Sequence, residues 1–241
     1  GTQPLISKVR VRYLPTAGLL TMGGPNPKPQ ARTLVVTGSM VPGQDKQVTT
    51  AAYEAIQRAL DGVTRHEDRM TAPSHLVSTG CDRLIVLSDL EPSPRGPYGW
   101  SPMSFDRGKA GGTLDNWFAL PWQGPADVVL PGFHTGAESG LKRGANGDEI
   151  FFAACGLMAS GSRSILLSRW PVAGQSTFDL VREYVQELPF VPAAEAWQRS
   201  VQLARTNPIV PELEPRLAAA GAAVELTAGP PFLWAGYLLD D

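Results

Sequence analysis

Short, unbroken apolar runs set between helical stretches constrain this chain most. Leu34-Val35-Val36, Leu84-Ile85-Val86-Leu87, Val128-Val129-Leu130 and Ile165-Leu166-Leu167 each carry three or four apolar residues with nothing polar between them. A strand wetted on one face alternates apolar with polar residues, so runs without alternation suit strands covered on both faces. Helical patterns separate and follow them. Thr49 to Leu60 puts Ala52, Ile56, Ala59 and Leu60 on one face, with Thr49 or Thr50 placed to cap it and Gly62 to close it. Asp148 to Ser160, Thr177 to Leu188 (Phe178, Val181 and Val185 inward) and Ala193 to Thr206 read the same way. Alternation of this kind predicts an α/β fold, a mainly parallel central sheet with helices on both faces.

The ends and one long connection read differently. Val9, Val11 and Tyr13 alternate with Arg10 and Arg12, a half-buried strand pattern, and Phe232 to Leu239 reads as a last strand. Glu91 to Gly112 is rich in Pro and Gly and too irregular to place. Its Tyr98, Trp100, Met103 and Phe105 suit partner recognition or folding back over their own sheet, and folding back is favoured. Parallel sheets take ligands beyond the carboxyl ends of their strands. Two segments therefore become candidates: Ser88 to Glu91 and Gly132 to Gly136.

Composition removes several functions. A net charge of −2 with no Lys/Arg block longer than two argues against nucleic acid or an anionic membrane surface. No apolar run approaches the roughly 18 residues of a membrane span, and the N-terminus lacks a signal-peptide core. Two cysteines, Cys81 and Cys155, make no disulfide framework and point to a reducing, cytoplasmic setting. Three histidines without metal-ligand spacing predict no metal. Gly144 to Asp148 lacks the lysine and spacing of a phosphate loop and reads as a structural turn, so no cofactor is expected.

The most specific stretch is ADVVLPGFHTG, then a Gly-rich turn, then GDEIFFAACGLMASGSRSILLSRWPVAGQST, from Ala126 to Thr177. It resembles the core of the CHAT domains, caspase-like cysteine peptidase domains often found behind TPR repeats. YLPTAGLL, TLVVTGSM and the closing PPFLWAGYLLDD extend the likeness over most of the chain. The resemblance implies a caspase-like three-layer α/β/α sandwich over 1–241 as one domain, and an origin in a longer multidomain protein is the expectation. The family pattern L-S-A-C-E-T-G places its nucleophile where Phe133 stands, and its catalytic His falls on Leu90, with Val86 at an earlier His. After Trp170-Pro171-Val172 the family carries an acidic pair; this chain has Ala173-Gly174. A phenyl ring cannot attack a carbonyl. Gly132 and Gly136 flank that position, so the resemblance implies that oxyanion donors survive without thiol or imidazole.

Each remaining candidate has a plainer reading. Cys155 falls on an apolar stripe with Phe151, Ala154 and Met158, which reads as sheet-facing packing. Cys81 precedes the third strand, at the wrong end for such a site. His134 belongs either to the cleft mouth or to a solvated loop, Trp170 either to the cleft wall or to the core, and His66 and His75 to the surface. The expectation is a catalytically degenerate CHAT-like domain, an interaction or regulatory module. It would bind a protein or peptide through a cleft of Gly132, Phe133, His134, Gly136 and Trp170. Two alternatives stand beside it: an active cysteine peptidase with a relocated dyad (His134 with Cys155 or Cys81), and a structural or oligomerisation domain.

Overall fold

A computed structural model of the chain describes residues 3–14, 27–37, 47–67, 80–87, 91–92, 103–104, 123–132, 148–169, 174–214 and 226–240. The strands are β1 (Thr33–Thr37), β2 (Val63–Glu67), β3 (Arg83–Leu87), β4 (Glu91–Pro92), β5 (Met103–Ser104), β6 (Asp127–Leu130), β7 (Ser164–Ser168), β8 (Pro208–Ile209), β9 (Leu226–Thr227) and β10 (Tyr237–Asp240). The helices are α1 (Gln47–Ala59), α2 (Asp148–Ala159), α3 (Gln175–Glu187) and α4 (Ala193–Ala204). Six strands form one sheet in the order β10-β7-β6-β3-β1-β2. Neighbours from β7 to β2 are parallel, and β10 runs antiparallel to β7.

The four continuous apolar runs become β1, β3, β6 and β7, each buried along its whole length. Successive residues face opposite sides of the sheet. Val35, Ile85, Val129 and Leu166 meet α1, α3 and α4 through Ile56, Val181, Tyr184 and Trp197. Leu34, Leu84, Val128 and Ile165 face the other way and meet Ala153, Ala154 and Leu157 of α2. The structure is thus a mainly parallel sheet between helical layers, the α/β arrangement expected of a caspase-like fold.

Strand order reverses after β1: β2 lies on one side of it, and β3, β6 and β7 on the other. Right-handed crossovers then require α1 and α2 on opposite faces, where they are found. The reversal also creates a switch point between β1 and β3.

Several expectations change. Val9 to Tyr13 is not a strand; only Tyr13 makes a parallel bridge, to Asp240. Val9 and Tyr13 are exposed, so their alternation faces no core. The segment is held instead by polar ties to α4, Gln198 Nε2 donating to the Ile6 carbonyl at 2.9 Å and Arg10 pairing with Glu195 at 2.7 Å. The last strand is only Tyr237–Asp240, because Pro231–Leu233 forms a 3-10 turn whose Leu233 packs with Ile209 and Ala228. Thr49 and Thr50 lie inside α1, which begins at Gln47, while Gly62 takes a positive φ of 68° just beyond its end. In the irregular 91–112 stretch β4 pairs with β5; Tyr98, Trp100 and Phe105 lie outside the described residues.

The α2 stripe is corrected by one position. Ala153, Ala154 and Leu157 are buried and Ile150 packs beside them, whereas Phe151 and Phe152 are exposed and meet edge to face at 5.7 Å. Cys155 is only half-buried.

Candidate functional site

Register sets the strands that precede the two candidate segments side by side. Arg83 is opposite Asp127, Leu84 opposite Val128 and Ile85 opposite Val129, so β3 and β6 are direct neighbours with their carboxyl ends side by side. Thr37 aligns with Leu87 on one flank, and Leu130 with Leu167 on the other. Leu87 and Leu130 therefore end on one common rim of the sheet. Such a rim is where open α/β sheets hold their ligands. The turn Pro131–Gly132 follows β6 directly and is buried against it. Gly132 is thus the one candidate cleft residue that the structure places, at the carboxyl end of a central strand. Leu90, Phe133, His134, Gly136 and Trp170 lie outside the described residues. So does His75, as do Gly144 to Gly147 of the Gly-rich turn.

Sequence reading missed polar groups on the same rim. At the end of β1, Thr37 Oγ1 accepts from Arg65 Nε at 3.1 Å and lies 3.5 Å from the His66 carbonyl. The Arg65 guanidinium stacks over the Tyr53 ring at 4.5 Å. These residues belong to β2, whose sequence VTRHE holds a single aliphatic residue and gives no buried-strand signal. His66, expected at the surface, is half-buried on this edge strand; its Nε2 is buried and has no hydrogen-bond partner among the described residues.

Neither thiol belongs to this rim's chemistry. Cys81 precedes β3, at the amino end, beside a polar knot in which Asp82 holds Lys28 Nζ at 2.7 Å and the Arg32 backbone N–H at 3.0 Å. Burial pushes the Cys81 thiol up to about 11. Cys155 sits in the middle of α2, where burial, then the neighbouring Asp240 carboxylate, raises its pKa as well. A peptidase nucleophile must be a thiolate near neutral pH, which both environments disfavour. Asp240 is on β10 opposite Ile165, at the amino end of β7, so its neighbourhood is the far end of the sheet from Gly132.

Among the described residues, no group of three His, Cys, Asp or Glu is placed to hold a metal ion. No helix among them is long and apolar enough to cross a membrane.

A family model described as CHAT domain matches residues 113–240, a little more than half of the chain. The match takes in β6, α2, β7, α3, α4 and β10, hence Gly132 and its strand. The sheet's other three strands, β1, β2 and β3, precede it. No curated protein matches the chain.

Proposed function

The chain belongs to the CHAT domain family, and from that premise we propose that it is a catalytically degenerate member. It acts as a protein-interaction or regulatory module through the former peptidase cleft. The observation that carries this reading is Phe133, directly after the Pro131–Gly132 turn on β6, where the resemblance puts the nucleophile. Leu90, three residues beyond the end of the adjacent β3, stands at the imidazole position. With neither group present, acyl transfer loses its nucleophile and its base together.

Binding does not need either group. An extended peptide is recognised by main-chain donors and apolar pockets, which a phenyl ring does not remove. Glycine at 132 and 136 suits close backbone approach, and a phenyl ring at 133 would take the space of a substrate carbonyl. The occupant is a protein or peptide segment; net charge and sequence speak for no nucleic acid. Two free thiols suit a reducing compartment, which supports a cytoplasmic setting for the module. The whole of 1–241 is read as one domain, because one sheet takes strands from before and within the matched region.

The test is thiol labelling by a peptide-like electrophile, followed by intact mass on native and unfolded protein. The reading expects Cys81 and Cys155 to label no faster in the native chain than in the unfolded one. Rapid native labelling of Cys155 that disappears on His134→Ala would establish a relocated dyad and overturn it.

A further inference from the structure

The three-helix face contains a cavity of about 340 Å³ bounded by Ala51, Ala52, Gln175, Phe178, Asp179, Arg182 and Leu213. It lies between the first two turns of α1 and α3, with Leu213 of the 3-10 turn Pro211–Leu213 on one side. Both helices follow strands β1 and β7 in the chain, so their first turns lie toward the carboxyl-end side of the sheet. None of the described lining residues is a cleft position. A volume of this order is within the range of small-ligand pockets.

Its walls divide by chemistry. Ala51, Ala52, Phe178 and Leu213 supply an apolar sleeve. Asp179 supplies the accessible carboxylate: one oxygen is 3.0 Å from Arg182, and the other has only a long contact of 3.4 Å from Gln175 Nε2. Arg182 is not committed to Asp179, since it also holds Glu183 at 2.8 Å. Glu214 is buried behind the α3 N-terminus and accepts from the Ser176 backbone N–H. Asp179 and Glu183 both hold the Arg182 guanidinium, and Glu214 lies near enough to Asp179 for that carboxylate, after burial, to raise its pKa. Among the described residues the local excess is negative, which favours a cation over an anion. Burial holds the Asp179 carboxyl above its usual range despite Arg182, so a second cation would relieve a desolvated charge.

We propose that this cavity receives a lysine or arginine side chain of a bound peptide, its alkyl stem between Phe178, Leu213 and the two alanines and its charged head on Asp179. Basic side chains are built for such a place, because the stem buries against apolar surface while the head keeps polar partners. On insertion, Arg182 turns toward Glu183 and cedes one Asp179 oxygen. Gln175 stays fixed by its Oε1, which accepts from the Val210 N–H at 3.1 Å, and so holds the pocket's rim in place. This assignment stands apart from the cleft reading, and neither depends on the other.

The experiment is an amide-shift NMR titration of the 241-residue chain with N-acetyl-arginine N-methylamide, against the isosteric uncharged citrulline compound. The expected result is shifts concentrated in the first turns of α1 and α3, with arginine binding at least about tenfold tighter than citrulline. Asp179→Asn should weaken arginine binding by about the same factor and leave citrulline unchanged. Ala51→Phe, at an exposed position, should block both probes by filling the sleeve, and it decides the matter if Asp179→Asn does not fold. Equal affinity for the two probes, shifts elsewhere, no shifts, or wild-type binding by Ala51→Phe would each overturn the assignment.

Discussion

Arg83 Nε lies 3.2 Å from Asp127 Oδ2 across the adjacent strands β3 and β6, at the end of the sheet opposite Gly132. Arg83 is among the most buried side chains of the described residues. Two charges at this depth stabilise the fold only while both remain. Asp127→Ala is expected to destabilise the chain by about 3–5 kcal/mol, since it leaves a buried guanidinium unanswered. The double variant Arg83→Met with Asp127→Leu should recover most of that loss. Urea unfolding of the three proteins checks it.

Asp240 makes stability fall as pH rises. It is 4% exposed, and burial lifts its pKa from 3.8 to about 6. Below 3.8 it is protonated whether folded or unfolded and contributes nothing to the pH dependence. Between 3.8 and about 6 the unfolded chain ionises first, so the folded state binds more protons and loses stability with each step upward. The penalty is complete above about 6 and amounts to about 2–3 kcal/mol. Asp240→Asn should therefore gain stability over wild type at pH 7.5 and show little difference at pH 3.5. Denaturant midpoints at the two pH values measure the difference.

The two faces of α2 are expected to respond unequally. Leu157 is 1% exposed against the sheet, and truncation to Ala should cost about 2–5 kcal/mol. Phe151 is 44% exposed, and Phe151→Ser should cost only about 1 kcal/mol, from the lost ring contact with Phe152 and helix propensity. Equal losses would restore the stripe expected from the sequence, with Phe151 on the sheet side.

The central sheet was legible because β1, β3, β6 and β7 are buried on both faces, and burial on both faces writes itself as an unbroken apolar run. Gly62 was legible for a similar local reason, a positive φ that favours glycine. β2 was not, since an edge strand carrying Thr64, Arg65 and His66 needs no apolar pattern to pair with β1. The α2 stripe slipped because Ile150, Phe151, Phe152, Ala153 and Ala154 are all apolar, and periodicity cannot choose a face in such a run. Val9 to Tyr13 misled in the opposite sense, with alternation but no core to face. That Gly132 follows the carboxyl end of a buried strand could be foreseen from the Val128-Val129-Leu130 run before it. The Asp179–Arg182 pair could not be read as part of a cavity, because an acid and a base three residues apart look like any solvated helix pair.

Rebuilding the dyad is expected to be possible on this frame. Leu90→His together with Phe133→Cys places imidazole and thiol beyond the neighbouring ends of β3 and β6. The thiol introduced at position 133 should then label with a peptide-like electrophile faster than Cys81 or Cys155, and Phe133→Cys alone should label more slowly than the pair. Equal rates at all three thiols would mean that these two positions do not meet.

The most direct measurement is cleavage of a diverse peptide library by the wild-type chain, read by mass spectrometry, beside Cys155→Ala and His134→Ala. A degenerate module predicts no cut that exceeds the no-protein control in any of the three. Cleavage by the wild type that vanishes in either variant would contradict the account and make the chain a working peptidase.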